Sequence, residues 1–277
     1  MERKEMSYNL TVRREGAVFI IGGTGGAGSA IVRAFAKTGA SIAFTYNSNE
    51  TKANALVDEL AGEGVTAAAS KLDITDLQAV EKCVGEVVER FGHIHTVIYA
   101  SGPMWDNTLQ LADVKPGFME FLVKTELFGF FNVISATKEQ MRAHKGVITI
   151  CTSFGNARRF DRDGQSAVPK AGLESMALYL AAEEAVYGVR ANVVRLGWFN
   201  FGMGAIDKTE AALDDPGRAM TGGEAGAEAL EWMTSRIRLG NRPGRGEELA
   251  SMVLYLSSEQ ASYVTGQITC VDGGISL

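Results

Sequence analysis

A cluster of glycines lies near the beginning of the chain, in the segment Gly22-Gly23-Thr24-Gly25-Gly26-Ala27-Gly28. It follows the apolar run Ala17–Ile21, typical of a buried strand, and precedes a segment with the pattern of a helix. Glycines at such a turn let the backbone bend sharply and bring its N–H groups close to a pyrophosphate, which the helix N-terminus also attracts. The position of the cluster therefore predicts a nucleotide-binding loop rather than a bare flexible turn.

The cysteines and histidines do not form the pattern of a metal site or a disulfide framework. The cysteines are far apart and lack a CxxC motif: Cys83, Cys151 and Cys270. His93 and His95 lie just before the predicted apolar strand, and we expect them to face its start or solvent. We therefore expect no metal site, and reduced thiols in a cytoplasmic protein.

Apolar runs and amphipathic segments alternate along the chain. The apolar runs predict strands at 17–21, 41–46, 65–70, 96–100, 146–152, 190–196 and 267–271. The segments between them predict helices at 26–37, 49–61, 76–91, 118–143, 166–186 and 247–256, with Asn49 as an N-cap. This alternation predicts an α/β fold, a Rossmann-type doubly wound parallel sheet of about seven strands with helices on both faces.

One stretch, at about 198–240, interrupts the alternation. It is long, rich in glycine and alanine, and acidic, which is typical of a lid over a binding site. Its seven acids and two bases between 200 and 235 disfavour a polyanionic substrate carrier. No linker or change of composition divides residues 1–277, so we expect a single domain that carries this lid.

Composition and charge exclude several classes of partner. The chain has 277 residues, 46% of them hydrophobic, and a net charge of −6, which argues against binding to nucleic acid or to an anionic membrane. No apolar run approaches the roughly 18 residues that span a bilayer. The first sixteen residues are charged and lack the apolar core of a signal peptide. We therefore expect a cytoplasmic protein with a small-molecule substrate.

Several motifs, in order, resemble those of the short-chain dehydrogenase/reductase family. They are the loop spacing Gly22-x-x-x-Gly26-x-Gly28, the segment Asp73-Ile74-Thr75-Asp76, Ser153 followed thirteen residues later by Ser166-x-x-x-Lys170, the strand Val189-Arg190-Ala191-Asn192-Val193, and the C-terminal Val271-Asp272-Gly273-Gly274. The resemblance covers about residues 15–277. It implies an oxidoreductase that binds NAD(P), and a homodimer or homotetramer in which the helices at 118–143 and 166–186 pack against a second copy.

The resemblance also implies which residues contact the cofactor. They are Gly22, Thr24, Gly25, Gly26, Ala27, Gly28, Tyr46, Asn47, Ser48, Asp73, Ile74, Ala100, Ser101, Gly102, Lys170, Gly197 and Phe199. An acid at the end of the second strand would hold the ribose 2′-OH and select NAD, but residues 45–49 contain none. Asn47 and Ser48 can donate to a 2′-phosphate, although the arginine of many NADP-using relatives is missing. We therefore predict NADP(H), with NAD(H) as the alternative.

The catalytic group implied by the resemblance is substituted at two of its four positions. The family uses Asn, Ser, Tyr and Lys; here Ser153 and Lys170 match. Ser166 stands at the tyrosine position and Glu126 at the asparagine position. An alkyl hydroxyl is a far weaker acid than a phenol, whose pKa is about 10, and it is also several ångströms shorter. Either another group moves the proton, or the reaction needs none from this position.

Glu126 is the most informative substitution because its helical neighbours form an apolar face. A carboxylate there is unfavourable unless it is paired or protonated. One interpretation is an ion pair with Lys170. The other is a carboxylic acid with a raised pKa that donates a proton.

The side of the site expected to hold the nicotinamide departs from the family in other ways. The segment at the end of the fourth predicted strand is Tyr99-Ala100-Ser101-Gly102, and the one after the sixth is Leu196-Gly197. Phe201 lies where the family usually has a threonine. Bulky residues are dense in the surrounding loops: Trp105, Trp198, Phe199, Phe201, Met203 and Trp232. They indicate a pocket for an apolar or ring-shaped substrate, or packing of the lid.

These observations leave three functional hypotheses. The first is an NADP(H)-dependent reductase of a carbonyl, imine or enone, with atypical proton delivery. The second is a non-redox isomerase, lyase or cyclase on the same scaffold. The third is a dinucleotide-binding sensor without catalysis.

Overall fold

Strands and helices alternate along the residues that the computed structural model describes, namely 10–106, 108–201, 231 and 233–277. The strands are β1 (Ala17–Ile21), β2 (Ser41–Tyr46), β3 (Ala67–Lys71), β4 (Ile94–Tyr99), β5 (Val147–Ser153), β6 (Arg190–Leu196) and β7 (Ile268–Val271). The helices are α1 (Gly26–Ala36), α2 (Glu50–Gly62), α3 (Leu77–Phe91), α4 (Pro116–Val123), α5 (Gly129–His144), α6 (Gly164–Glu183) and α7 (Gly246–Ser257).

The described strands form a seven-stranded parallel sheet in the order β3-β2-β1-β4-β5-β6-β7. Strands β1 and β4 are buried at every residue, so both faces of the sheet need apolar cover. Helices α1, α2 and α7 pack on one face, and α3, α5 and α6 on the other. The predicted doubly wound sheet is therefore confirmed. The chain order reverses between β1 and β4, where sheets of this kind hold ligands beyond the carboxyl ends of their strands.

Two helices begin at polar side chains that satisfy backbone N–H groups. Asn49 accepts a hydrogen bond from the Lys52 N–H at 2.9 Å, which confirms the predicted N-cap of α2. Asp76 accepts hydrogen bonds from the N–H groups of Gln78 and Ala79 at the start of α3.

Strand β4 begins two residues earlier than the sequence pattern predicts, and His95 lies inside it. The side chain of His95 is only 1% exposed, so the expectation that it lies before the strand or faces solvent is wrong. Its Nδ1 shares a 2.9 Å hydrogen bond with Thr96 Oγ1, and burial lowers the pKa of His95 to about 4. Among the described residues, no three His, Cys, Asp or Glu side chains are placed to hold a metal ion.

The long helix predicted at 118–143 is interrupted by a π-helical turn. This turn, Lys124–Phe128, separates α4 from α5 and contains Glu126. A π turn shifts the helical hydrogen bonds by one residue, and such turns are common at functional sites. The Tyr99 hydroxyl at the end of β4 donates to the Glu126 carbonyl at 3.3 Å. This bond ties the turn to the central strand of the sheet.

Helix α6 begins at Gly164, two residues before the predicted start, and is fixed to the sheet by a buried ion pair. Glu174 of α6 accepts two hydrogen bonds from the Arg195 guanidinium of β6, at 2.9 and 2.6 Å. It also accepts one from the Thr152 hydroxyl of β5 at 2.8 Å. Three hydrogen bonds from two polar partners thus fix the helix that carries Ser166 and Lys170.

Much of the predicted lid lies outside the described residues, as do Met203 and Trp232. In the part of the chain that is described, no helix combines the length and the apolar character needed to span a bilayer.

Candidate active site

The glycine loop leaves the carboxyl end of β1 and is held by the neighbouring strand β2. The Gly22 N–H donates to Thr45 Oγ1 at 3.1 Å, and the Gly23 N–H donates to the Thr45 carbonyl at 2.8 Å. Gly22 has a φ of +83°, a conformation that favours glycine. The sequence predicts the loop but gives no sign of the buried threonine that supports it.

Close packing explains why other positions of the loop are glycines. A Cβ on Gly28 would overlap the Gly22 carbonyl oxygen, so the loop and α1 could not approach each other. Gly25 precedes α1, and no side chain caps this helix. The first N–H groups of α1 are therefore directed to the open end of the loop, an arrangement that suits a pyrophosphate.

Phe201 covers one side of this pyrophosphate cradle. A Cβ on Gly26 would lie 2.5 Å from Phe201 Cδ2, and the Phe201 ring stacks on Phe199 with 5.1 Å between ring centres. Gly26 is the second glycine of the motif, whose missing side chain lets a pyrophosphate approach the backbone. The loop therefore fits a dinucleotide once the Phe201 ring moves aside.

The residues expected at the adenine lie beyond β3. Asp73 Oδ1 accepts hydrogen bonds from the N–H and hydroxyl of Thr75, and the rest of its carboxylate is exposed. The Ile74 carbonyl accepts a 3.0 Å hydrogen bond from Asn132 Nδ2. A Cβ on Gly129 would overlap the Ile74 side chain, so α5 packs directly on this segment.

The residues expected at the ribose lie at the end of β2. Asn47 and Ser48 are exposed, whereas the Tyr46 ring is buried. Burial raises the pKa of Tyr46, and the Glu50 carboxylate raises it further. Glu50 is thus an acid at this end of β2, one residue beyond the segment 45–49 in which the sequence contains none. Lys71 lies opposite Tyr46 in the register of β2 and β3 and supplies a positive charge at the same edge.

The segment after β4 joins the glycine loop to the substituted catalytic group. The Ala100 N–H donates to the Ile21 carbonyl at 3.0 Å, and a Cβ on Gly22 would lie 2.9 Å from Ser101 Cα. A Cβ on Gly102 would lie 3.0 Å from Glu126 Oε1 and 3.5 Å from Lys170 Nζ. The cradle and the catalytic group therefore share one edge of the sheet.

Lys170 of α6 donates a hydrogen bond to Glu126 Oε1, and the two groups form an ion pair. Glu126 is 2% exposed, and the Lys170 side chain is also largely buried. Burial raises the pKa of Glu126, while the Lys170 charge and hydrogen bond oppose that increase. Glu126 Oε2 accepts no hydrogen bond within the described part of the chain. The structure thus contains both features that the sequence offered as alternatives, a pairing with Lys170 and a raised pKa.

The two serines of the group lie on different elements. Ser153 ends β5, and its Oγ accepts a 3.1 Å hydrogen bond from the Gly155 N–H. Ser166 lies one turn before Lys170 on α6 and is 3% exposed. Its Oγ has no hydrogen-bond partner among the residues described.

Asp163 is a further acid at the site, which the sequence analysis does not identify. Burial raises the pKa of Asp163 to about 6, although the Lys170 charge opposes the increase. A Cβ on Gly155 would overlap Asp163 Oδ2 and lie 3.2 Å from Ser153 Oγ. Asp163 lies three residues before the predicted start of the helix and outside the motif spacing, so its residue type gave no separate signal.

The aromatic residues divide between the site and the core. The Trp105 ring centre lies 5.7 Å from Lys170 Nζ. Trp198 instead packs with Ile237 and Ile275, and Phe199 is buried in the core beside α7. The packing interpretation therefore holds for Trp198 and Phe199. Gly197, expected at the cofactor, also has a packing reason, because a Cβ there would overlap Asp272.

Comparison with known proteins gives the class of the protein. The model of a family described as enoyl-(acyl carrier protein) reductase matches residues 22–276. The 3-oxoacyl-[acyl-carrier-protein] reductase of Staphylococcus aureus is 28% identical over 262 residues, which cover 94% of this chain and 98% of that protein. The L-rhamnose 1-dehydrogenase (NAD(P)(+)) of a Sphingomonas species is 29% identical, with 93% and 95% of the two chains covered.

A solved structure agrees with these relatives. A blue fluorescent protein from a metagenomic library, in complex with NADPH, superposes with a TM-score of 0.79 at 28% identity, covering 95% of this chain and 99% of that chain. The chain belongs to the short-chain dehydrogenase/reductase family, and it is an oxidoreductase of that family.

The Lys170–Glu126 pair predicts a pH-dependent loss of stability in Lys170→Ala. Glu126 then lies buried without its counter-charge, which typically lowers the free energy of unfolding by about 3–5 kcal/mol. The folded-state pKa of Glu126 is already raised, so the stability it contributes is largest at low pH and is lost as pH rises. Urea unfolding should therefore show a larger loss at pH 8 than at pH 5.

Two further variants make this measurement specific. Lys170→Ala combined with Glu126→Gln should recover most of the stability lost at pH 8. Lys124→Ala removes an exposed lysine from the same π turn and should change the free energy of unfolding little. Equal losses at both pH values in Lys170→Ala would contradict the role given to Glu126.

Proposed function

We propose that the protein is an NADP(H)-dependent reductase of a small, apolar or ring-shaped carbonyl, imine or enone compound. The observation that carries the proposal is the uncapped N-terminus of α1 beside the Lys170 group at one edge of the sheet. A dinucleotide bound there supplies a hydride. We further propose one domain over residues 1–277, with a lid at about 198–240, in a cytoplasmic protein.

Each group at the edge of the sheet has a distinct task in this proposal. The N–H groups at the start of α1 bind the pyrophosphate, and Asp73 and Ile74 face the adenine. Lys170 holds the nicotinamide ribose, with its ammonium group oriented by Glu126. The Ser153 hydroxyl accepts its hydrogen bond from Gly155, so its own proton remains for a substrate oxygen. Trp105 provides an apolar wall beside Lys170.

The preference for NADP(H) rests on the charges at the end of β2. Asn47 and Ser48 are exposed donors, and Lys71 adds a positive charge opposite Tyr46. Glu50 lies near enough to act on Tyr46, so it competes with this positive charge. The NADPH complex of the metagenomic relative gives further support.

NADPH should bind more tightly than NADH. Because a carboxylate repels a 2′-phosphate, Asn47→Asp should lower the affinity for NADPH about tenfold, or about 1.4 kcal/mol. It should raise the affinity for NADH, because the carboxylate can accept a hydrogen bond from the ribose 2′-OH. Phe201→Ala should tighten both complexes, since no ring then has to move from Gly26. Fluorescence or calorimetric titration of the three proteins measures these affinities. Tighter binding of NADH by the wild type, or binding of neither dinucleotide, would contradict the assignment.

Activity should depend on the residue at position 166. Wild type is expected to reduce at least one member of a panel of ketones, imines and enones with NADPH. Ser166→Tyr restores the phenol beside Lys170 and should increase turnover of simple ketones, unless the ring fills space that the substrate needs. The measurement is NADPH oxidation at 340 nm, with product analysis by mass spectrometry.

The outcome of this panel separates the three hypotheses. If neither wild type nor Ser166→Tyr reduces any substrate, the reductase proposal fails. Dinucleotide binding would then favour the sensor, or a non-redox enzyme that keeps the cofactor as a structural group. Glu126→Gln provides the comparison for proton delivery, because a general acid typically contributes about 10²–10⁴-fold to turnover.

We also propose that α5 and α6 form a face between two copies of the chain. Large apolar side chains are exposed along the π turn, α5, α6 and the turn that follows: Phe128, Phe131, Tyr179 and Val186, with Val186 80% exposed. Large exposed apolar side chains on neighbouring elements are typical of an interface.

Light scattering at micromolar concentration should therefore give a dimer or a tetramer. Phe131→Glu should shift the mass toward the monomer, because it places a charge in the proposed interface. Leu77→Glu changes a similarly exposed apolar residue on α3 and serves as the matched control. A monomeric wild type would refute this part of the proposal.

A further inference from the structure

Asp163 stands where an acid usually caps a helix, yet it does not cap α6. Its backbone carbonyl accepts hydrogen bonds from the N–H groups of Ser166 and Ala167, at 3.0 and 2.9 Å. Its side chain makes no capping hydrogen bond. Helix capping, the ordinary reason for an acid at this position, therefore does not account for the placement of its carboxylate.

The carboxylate of Asp163 is instead buried against the turn that follows β5. Its Oδ2 is out of contact with solvent and has no hydrogen-bond partner among the described residues. The missing side chain of Gly155 makes room for this oxygen, and Ser153 Oγ borders the same space. A buried polar atom without a partner is unfavourable unless it serves a function.

Asp163 shares one face of α6 with two members of the substituted catalytic group. Ser166 follows it by three residues and Lys170 by seven, so the three side chains lie along one side of the helix. Ser166 Oγ is likewise buried without a partner in the described part of the chain. Asp163 and Ser166 thus place two buried oxygens without partners among the described residues on the side of α6 that carries Lys170.

We propose that Asp163 is the proton source for the substrate oxygen, acting through the Ser153 hydroxyl. This proposal rests on the reductase function proposed above. As the substrate carbon gains hydride, its oxygen takes the Ser153 proton and forms an O–H bond. The Ser153 oxygen takes the Asp163 proton, and the Asp163 O–H bond breaks. The products are an alcohol and the Asp163 carboxylate, which regains a proton through the part of Asp163 that remains accessible to solvent.

The surroundings of Asp163 stabilise both its neutral acid and its carboxylate form. Burial favours the neutral acid and raises the pKa of Asp163 to about 6, which is close to the pH at which a general acid works best. The Lys170 ammonium opposes that increase and stabilises the carboxylate left after proton transfer. The N-terminal end of α6 also favours a negative charge.

The other charged groups near Asp163 have partners of their own. On the turn after β5, the Arg158 guanidinium donates to the carbonyls of Ile275 and Leu277. The Arg159 guanidinium donates to the Asn156 carbonyl at 2.6 Å. Glu126 reaches this face of α6 only through its pairing with Lys170.

Asp163 fits this task better than Glu126 does. The Lys170 ammonium donates directly to Glu126 Oε1, and this bond opposes the increase in pKa that burial causes. The residues described give Asp163 no ion pair, and the position of a Cβ on Gly155 lies close to both its free oxygen and Ser153 Oγ. Glu126 therefore acts as the residue that positions Lys170, and Asp163 as the one that holds the proton.

The test compares pH profiles of kcat/KM for reduction of the best substrate of the panel. In wild type, kcat/KM should fall as pH rises through about 6, because the reaction needs protonated Asp163. Asp163→Asn should lower kcat/KM by about 10²–10⁴-fold at pH 6 and remove that pH dependence. Asp163→Glu should recover part of the activity, with a shifted profile. The matched control is Asp161→Asn, an exposed acid two residues away, which should behave as wild type.

A second readout uses the protein without cofactor or substrate. Because the folded-state pKa of Asp163 is raised, wild type should lose stability relative to Asp163→Asn as pH rises from 4 to 7. Thermal unfolding at each pH measures this as a growing difference in Tm between the two proteins. Asp161→Asn should show no such difference from wild type.

Each outcome supports or overturns the proposal. The proposal is supported if wild type is active, its kcat/KM falls as pH rises through about 6, and its Tm falls relative to that of Asp163→Asn as pH rises. Unchanged kcat/KM in Asp163→Asn, or loss of the pH dependence in Glu126→Gln instead, overturns it while leaving the reductase function intact. A Tm difference that does not change with pH also overturns it. Wild-type inactivity on every substrate overturns the reductase function and this proposal together.

Discussion

The buried ion pair between Lys170 and Glu126 is the interaction on which the arrangement of the site depends. It joins α6 to the π turn between α4 and α5, and Gly102 covers it with backbone from the end of β4. Neither charge can leave the pair without becoming an isolated charge in a medium of low polarity. Three separate elements are therefore held in one relative position, and the other polar groups on the same face of α6 are fixed with them.

The fold was largely predictable because parallel strands buried on both faces appear in the sequence as uninterrupted apolar runs. The errors occur where a distant residue decides the local structure. His95 is polar by type, but the helices that cover β4 bury it. The π turn has an apolar pattern that also fits a regular helix. Its carbonyl is bonded by Tyr99, more than twenty residues earlier, which a local pattern cannot reveal.

The candidate site was predictable where spacing alone carries the chemistry, as in the glycine loop and the Ser166–Lys170 interval. It was not predictable where the role of a residue depends on a contact between segments that are distant in the sequence. Thr45 supports the loop through its hydroxyl, and Phe201 covers Gly26 from a segment far along the chain. Asp163 was overlooked because it lies outside the family motif, and only the burial of its oxygen in the folded chain distinguishes it from the exposed acids nearby.

The π turn also bears on how such a site can change without loss of the fold. A π turn contains one residue more than a regular turn, so deleting a residue within Lys124–Phe128 would restore a continuous α-helix. Because a π turn absorbs its extra residue locally, α4 would keep its orientation relative to α5, and only the residues of the turn would change position. Glu126 would then leave Lys170, while the contacts of α5 with the sheet remained. A change of a single codon in length could therefore exchange the group beside the lysine in one step.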